Sequence, residues 1–476
     1  MDDHRRHLGQ GFNWLGGATI AAKVIDFSTI VAVLLFLTKQ QVGVGSLVVS
    51  IGMVVEAFNG LGTSEALLQA RSVSRLQLDT LFWYILAAAV VVSGLTLLAA
   101  PWIEAIYSPT EMTTYFIAVA VKQPVVGAAL IPLALMNRDL QYERIAVVNV
   151  CATMAAALTR LLLGASGAGV WALVAGYSAS GFYILVGALL ARPFRPRLRF
   201  QMSAILPLMR FGVGAATANV AEQMFKNVDY LLVGWFYGAS RLAVYRIAFD
   251  VAMEPAMAVG TLVNRTALPV FARVAAEGGP LSQILTWALR RTVILVAPLM
   301  VGLMLVADQL TSLLHDEKGS SYAAAAVPLK LLAAAALLRV TSMLLPTVML
   351  VSGRPGTAAR LSAATLLVLS AGIVIAGFTF PAQTGIIAVS AIWLGYYPPL
   401  LVWGFRYLQR HWKISAGELG RALNAPLLGI GVMVGTVEMT RYLAGSSNPN
   451  VQVGIALAAT VLTYSGLFLH ERNRPH

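Results

Sequence analysis

The sequence predicts an all-α integral membrane protein of about 14 transmembrane helices, built as two six-helix lobes related by a parallel repeat plus two C-terminal helices. Three observations carry this prediction. Hydrophobic residues make up 58% of the 476 residues and charged ones only 12%, against about 25% charged in soluble domains. The mean hydropathy is +0.75. Apolar stretches long enough to cross a bilayer, which takes about 20 helical residues, recur along the whole chain between short polar breaks. Lysine and arginine are segregated among those breaks.

The first six spans are read at 11–37, 42–66, 78–100, 113–136, 145–164 and 168–191. Six more follow at 206–237, 242–265, 288–308, 322–352, 357–378 and 384–406, and the last two at 423–443 and 450–470. With both termini assigned to the cytoplasm, and basic residues in the terminal turn of a span counted with the adjoining loop, 22 of the 34 basic residues fall on that side. Only Lys39, Arg241, Lys318 and Arg441 fall in the opposite loops, and eight lie within spans. This asymmetry obeys the positive-inside rule, and an odd number of spans would break it. The same placement explains the net charge of +13 without nucleic acid.

The opening MDDHRRHLGQ is polar, and the apolar run after it contains Lys23 and Asp26. A retained first helix is therefore expected rather than a removable signal peptide. The single Cys151 excludes an intrachain disulfide and is read as a small buried hydrophobe. No metal site is expected.

The basic connector ARPFRPRLRFQ, from Ala191 to Gln201, marks the boundary between lobes. It divides the chain into an N-lobe at 1–200, a C-lobe at 201–415 and a last pair of helices at 416–476. Proline and arginine make it extended, either as a plain topological marker or as a contact for anionic headgroups. Shifting the chain by 200 residues pairs Ala18 with Ala218 and Gly60 with Gly260, but the matching order of spans and loops is the better evidence for a repeat. The stretches 266–287 and 407–422 are expected to be short amphipathic pieces at the cytoplasmic face.

Candidate functional residues are the charges inside the spans. Glu222, Lys226 and Asp229 share one face of span seven, and Arg246, Asp250 and Glu254 share one face of span eight. Ionisable groups at membrane depth are costly and face a bundle interior or a watery cavity, so these faces are expected to line a polar cavity between the lobes. Lys23 and Asp26 lie one turn apart in span one and can neutralise each other. Glu56 lies at mid-depth in span two and either pairs with Lys23 or serves a proton-coupled step. Arg339 has no carboxylate within a turn and suits bidentate phosphate contact. Lys122 and Arg160 are read as snorkelling toward an interface. Trp235-Phe236-Tyr237 and Trp393 with Tyr396-Tyr397 are read as interfacial anchors. Pro124, Pro132, Pro255, Pro298 and Pro346 are expected to kink their helices.

Local motifs resemble a known family. MNRDLQYERI, Met136–Ile145, is similar to the arginine-plus-aromatic loop of colanic-acid and xanthan type exporters. Asp229–Gly238 followed by Val244-Tyr245-Arg246-Ile247-Ala248 resembles their span seven–eight junction, and Ser352-Gly353-Arg354 their Gly-Arg turn. Together with the span order, this resembles the Wzx-type polysaccharide flippases of the multidrug/oligosaccharidyl-lipid/polysaccharide exporter superfamily.

The resemblance implies a non-enzymatic carrier that moves undecaprenyl-diphosphate-linked oligosaccharide across a bacterial inner membrane for exopolysaccharide or O-antigen-type synthesis, by ion-coupled alternating access. It implies membrane lipids and polysaccharide polymerase or export machinery as partners, and no cofactor beyond H+ or Na+ coupling. On that reading Lys23, Lys226, Arg246 and Arg339 meet diphosphate or sugar. Asp26, Glu56, Glu222, Asp229, Asp250 and Glu254 balance charge or couple the ion. Structural ion pairs within and between helices remain the plainer reading of the same charges. The alternatives are a multidrug or organic-cation antiporter of the same superfamily, a peptidoglycan lipid II flippase, and a non-transporting scaffold. No P-loop or carboxylate cluster of an ATPase or glycosyltransferase is present.

Overall fold

In the computed structural model the described residues are 17–18, 21–60, 62–63, 66–67, 70, 72–107, 111–276, 281–412 and 415–444, with isolated positions 454, 458–459, 462 and 466. The N-terminal decapeptide and most of the expected span at 450–470 lie outside them.

Among the described residues the regular structure is helical, apart from an isolated bridge between His315 and Ser321. Residues 21–33 form α1. The first half continues with α2 (Lys39–Glu56), α3 (Arg75–Tyr107), α4 (Met112–Arg138), α5 (Tyr142–Ala165), α6 (Trp171–Ala191) and α7 (Met202–Tyr237). Then come α8 (Ala239–Ala276), α9 (Leu281–Leu313), α10 (Ala326–Ser342), α11 (Leu344–Val351), α12 (Pro355–Thr379), α13 (Ala382–Trp412) and α14 (Ala416–Ala444). Among the described residues, eight helical stretches, α3 to α6, α9, the combined α10–α11, α12 and α13, are long and apolar enough to cross a membrane. The charged helices α7 and α8 are not among these eight.

Sequence chemistry explains the ends. Thr38 caps α2 reciprocally with Gln41: its hydroxyl accepts the Gln41 N–H at 3.3 Å, and the Gln41 side chain accepts the Thr38 N–H at 2.8 Å. The expected span at 42–66 is not one continuous helix, because α2 stops at Glu56 and a turn follows. Gly62 adopts a left-handed φ of +71° there, and a Cβ on it would stand 1.8 Å from the Gly212 carbonyl oxygen. Only glycine meets both conditions.

The expected span at 322–352 is also broken, at Met343, whose N–H is shared between the Arg339 and Val340 carbonyls. Pro346 supplies the reason: it lacks the N–H that would bond Ser342 and its ring crowds that carbonyl. Helices do run through Pro101, Pro124, Pro132, Pro207 and Pro298. Hydropathy registers only the part of a helix in lipid, so the amphipathic stretch expected at 266–287 belongs largely to the ends of two long helices: α8 reaches Ala276 and α9 starts at Leu281. The 407–422 stretch is likewise taken up largely by the ends of α13 and α14.

Contacts divide the chain into two compact units. The first comprises residues 1–243 with 316–318, and the second 244–315 with 319–476. In the first, α3 packs on α4, α5 on α6, α4 on α6, and α2 on α4, α6 and α7. One core cluster joins Leu78, Leu81 and Ile85 of α3 to Ile131 of α4, Phe194 of the connector and Ile205 of α7. In the second unit α10 packs against α9 and α13, and α9 against α14. There Phe271, Leu285, Leu344, Leu345 and Leu408 share a core.

Leu98, Trp102, Leu190, Leu367 and Phe378 project from their helices, each more than two-thirds exposed. Such apolar surfaces are unfavourable in water and are at home in lipid. The protein is an integral membrane protein. Cys151, expected to be buried, is exposed on α5, where a lipid-facing position suits a small apolar thiol equally well.

Candidate functional site

The first unit contains a cavity of about 760 Å³ lined by residues of α1, α2, α4, α5, α6 and α7. Two ion pairs cross between helices at its wall. Lys122 of α4 reaches the Glu56 carboxylate at the end of α2, with Nζ 2.8 Å from Oε2. The lysine side chain is 4% exposed and the glutamate 31%. The Tyr177 hydroxyl of α6 donates to the same oxygen at 2.7 Å, and Lys122 Nζ lies 3.3 Å from the Tyr177 ring centroid. Three helices thus meet at one carboxylate, through a charge-assisted bond, a phenol and a cation–π contact.

Nearby, Asn59 donates its amide to the Gln123 side chain at 2.6 Å, both residues being buried. Asn59 Oδ1 is buried and has no hydrogen-bond partner among the described residues. The second pair joins Arg160 Nη1 of α5 to Asp26 Oδ1 of α1 at 2.9 Å. Arg160 Nε is buried and unsatisfied.

Glycines make room for these side chains. A Cβ on Gly181 would come within 3.1 Å of Lys122, one on Gly176 within 3.1 Å of Arg160, and one on Gly52 within 2.9 Å of the Tyr177 ring. Lys23, Asn149, Asn219, Glu222 and Gln223 complete the polar lining.

The cavity therefore gathers Lys23, Asp26, Glu56 and Glu222 from the sequence-expected residues. Asp26 takes Arg160 as its partner, and Glu56 takes Lys122 rather than Lys23. Lys122 and Arg160 do not snorkel; a carboxylate on another helix holds each inside. Lys226 bonds Glu222 one turn away on an exposed face of α7, at 2.5 Å. Asp229 is fully buried and accepts the Tyr230 N–H at 2.9 Å.

The second unit holds the other expected residues. Arg246 and Asp250 pair along α8 at 3.2 Å, and Glu254 is half-buried on the same helix. The Arg339 guanidinium lies 5.1 Å from the Trp393 ring centroid, with Nη1 3.9 Å from Met253 Sδ. Trp393 and Tyr397 are not interfacial anchors, because both are buried. Trp393 Nε1 donates to the Tyr245 hydroxyl at 3.0 Å, and Phe249 packs edge-on against Trp393. An aromatic pair with partnered polar tips can serve a core as well as an interface.

Sequence reasoning missed Lys122, Arg160, Tyr177 and Asn59. The available signals were Lys122-Gln123 and Thr159-Arg160, polar doublets within otherwise apolar spans.

Long apolar helices with ionised side chains paired around an internal polar cavity define a polytopic membrane protein. Comparison with known proteins narrows this. A model of the polysaccharide biosynthesis protein family matches residues 33–326, and the chain belongs to that family.

The chain is 22% identical over 317 residues to the Escherichia coli lipopolysaccharide biosynthesis protein WzxC, covering 65% of this chain and 64% of that protein. It is 24% identical to the Bacillus subtilis teichuronic acid biosynthesis protein TuaB, covering 62% and 61%. With the Rhizobium meliloti succinoglycan biosynthesis transport protein ExoT it is 23% identical, covering 60% and 58%. The matched regions thus span about three-fifths of these relatives' own lengths.

In fold, the structure is similar to the lipid II flippase MurJ in an inward closed conformation, with a TM-score of 0.75, 12% identity and coverage of 97% of this chain and 99% of that one. It is also similar to an inward-facing multidrug resistance MATE family transporter, with a TM-score of 0.63, 14% identity and coverage of 83% and 96%.

Proposed function

We propose that the protein is a flippase that moves polyprenyl-diphosphate-linked oligosaccharide units across the bacterial inner membrane for polysaccharide biosynthesis. The observation that carries this reading is the polar cavity inside the first unit, walled by α1, α2, α4, α5, α6 and α7 and edged by two ion pairs between helices. Its size falls within the range of small-molecule sites, about 300–1,000 Å³, so it accommodates part of such a cargo rather than the whole. Its amides, Asn59, Asn149, Asn219 and Gln223, match sugar hydroxyls, and Lys23, Lys122 and Arg160 match phosphate. Membership in the polysaccharide biosynthesis family and the roles carried in the relatives' names support the same cargo class.

On this reading the carrier performs no covalent step and needs no cofactor. The carboxylates Asp26 and Glu56 are the places for a coupling H+ or Na+, since each already holds a cationic side chain. Both termini are cytoplasmic, as the basic loops favour. Polysaccharide polymerase and export proteins are its natural neighbours.

The test uses cells lacking this protein with the final export step intact. Lipid-linked oligosaccharide is assigned to a leaflet by its accessibility to a periplasmic glycosidase. Repeat units are expected to be trapped inside, and to be released by the wild type but not by Glu56→Gln or Arg339→Ala. Normal outward exposure without the protein would overturn the reading.

A further inference from the structure

We propose that the connector between α6 and α7 is a rigid anionic-lipid binding strip. It follows directly on Ala191, the last residue of a membrane-crossing helix, so it lies at a membrane surface. Its backbone is clamped along the start of α3. Asp79 and Trp83, one turn apart, hold the two sides of a single residue: Asp79 Oδ1 accepts the Arg197 N–H at 3.2 Å, and Trp83 Nε1 donates to the Arg197 carbonyl at 2.9 Å. Arg75 bonds Asp79, donates to the Arg195 carbonyl and lies 4.6 Å from the Phe194 ring centroid. The Thr80 hydroxyl accepts the Gln201 N–H at 3.2 Å.

With the backbone and Phe194 turned inward, the other side chains point out. Arg195, Arg197 and Arg199 are exposed and belong to none of the ion pairs among the described residues, whereas Arg192 is taken by Asp139 at 2.8 Å. Between and beside them, Leu198 is 89% exposed and Phe200 60%. Alternating cationic and large apolar side chains at a membrane surface fit headgroup phosphates above and acyl chains below. Basic residues alone would only report topology. The fixed backbone and the outward leucine and phenylalanine point to a built surface, whose ordering cost is met by α3 before lipid binds.

The test places a photo-crosslinking benzoylphenylalanine at position 198 of the full chain in nanodiscs of mixed phosphatidylcholine and phosphatidylglycerol. Adducts are identified by mass. Phosphatidylglycerol adducts are expected to be enriched about fivefold over the bulk composition. The enrichment should fall to the bulk ratio in the Arg195→Gln/Arg197→Gln/Arg199→Gln variant and in high salt. Trp83→Phe, which loosens the clamp but keeps every charge, should give an intermediate value. Adducts at the bulk ratio in the unsubstituted connector would overturn the proposal. So would crosslinking in cells that goes to a soluble protein instead of lipid.

Discussion

The two units spend similar side chains in opposite ways. In the first, each buried cation finds its carboxylate on another helix, Lys122 on α4 with Glu56 on α2 and Arg160 on α5 with Asp26 on α1. In the second, Arg246 pairs with Asp250 one turn along its own helix, Arg339 stacks over an aromatic core, and the pair that joins two helices, Lys330 of α10 with Asp308 of α9, is 37% and 60% exposed. Pairs between helices fix how those helices stand relative to each other, so losing one partner strands a charge. A pair along one helix constrains only that helix, so its loss lowers stability without freeing one helix from another. The first unit's charges therefore organise a cavity, and the second unit's Arg246–Asp250 pair leaves packing to its apolar and aromatic cores.

Substitutions graded by this difference should break or sharpen it. Lys122→Ala should have the largest effect, about 3–5 kcal/mol of lost stability, because it leaves Glu56 facing an empty site. The measurement is the thermal unfolding midpoint in detergent. Adding Glu56→Gln to Lys122→Met should recover most of the loss. An unchanged midpoint for Lys122→Ala would remove the contrast between the units. Arg160→Gln should cost about 2 kcal/mol, the scale of a hydrogen bond to a charged group, since Asp26 is 43% exposed and can turn to water.

In the second unit Arg246→Gln should cost about 1.5 kcal/mol by the same assay, since Asp250 is only 14% exposed and loses a charge-assisted bond. Smallest of all, Lys226→Gln should stay within about 0.5 kcal/mol of wild type, its pair being exposed. If Lys226 meets the cargo, glycosidase accessibility of the lipid-linked units should fall severalfold in Lys226→Gln while its unfolding midpoint stays put.

Much of the fold was legible because hydropathy is local. The span expected at 113–136 is α4, Met112–Arg138, and that at 145–164 is α5, Tyr142–Ala165. Breaks inside spans were harder to read. Pro346 was visible but was read as a kink, and the turn after Glu56 sets Gly62 against Gly212, 150 positions away in sequence. The candidate site was legible as a set of residue types and illegible as a set of pairs. Lys122 and Glu56 are 66 residues apart, and Arg160 and Asp26 are 134 apart. Helical periodicity reaches only three or four residues, so it offered Asp26 a neighbour at Lys23 and gave Lys122 nothing but an interface.

The seam between α2 and α7 shows what missing atoms can specify. A Cβ on Gly43 would stand 1.8 Å from the Ala239 carbonyl oxygen, just beyond the end of α7, and one on Gly62 equally close to that of Gly212 within it. Gly94 on α3 has nothing within 4 Å of its absent Cβ. In a saturation library selected only for insertion and folding, positions 43 and 62 should retain glycine alone, while position 94 should admit almost any apolar residue. Close helix approach in membranes rests on small residues of this kind. Replaceability is therefore set by what stands opposite each glycine, and three glycines in apolar surroundings would leave that selection with very different histories.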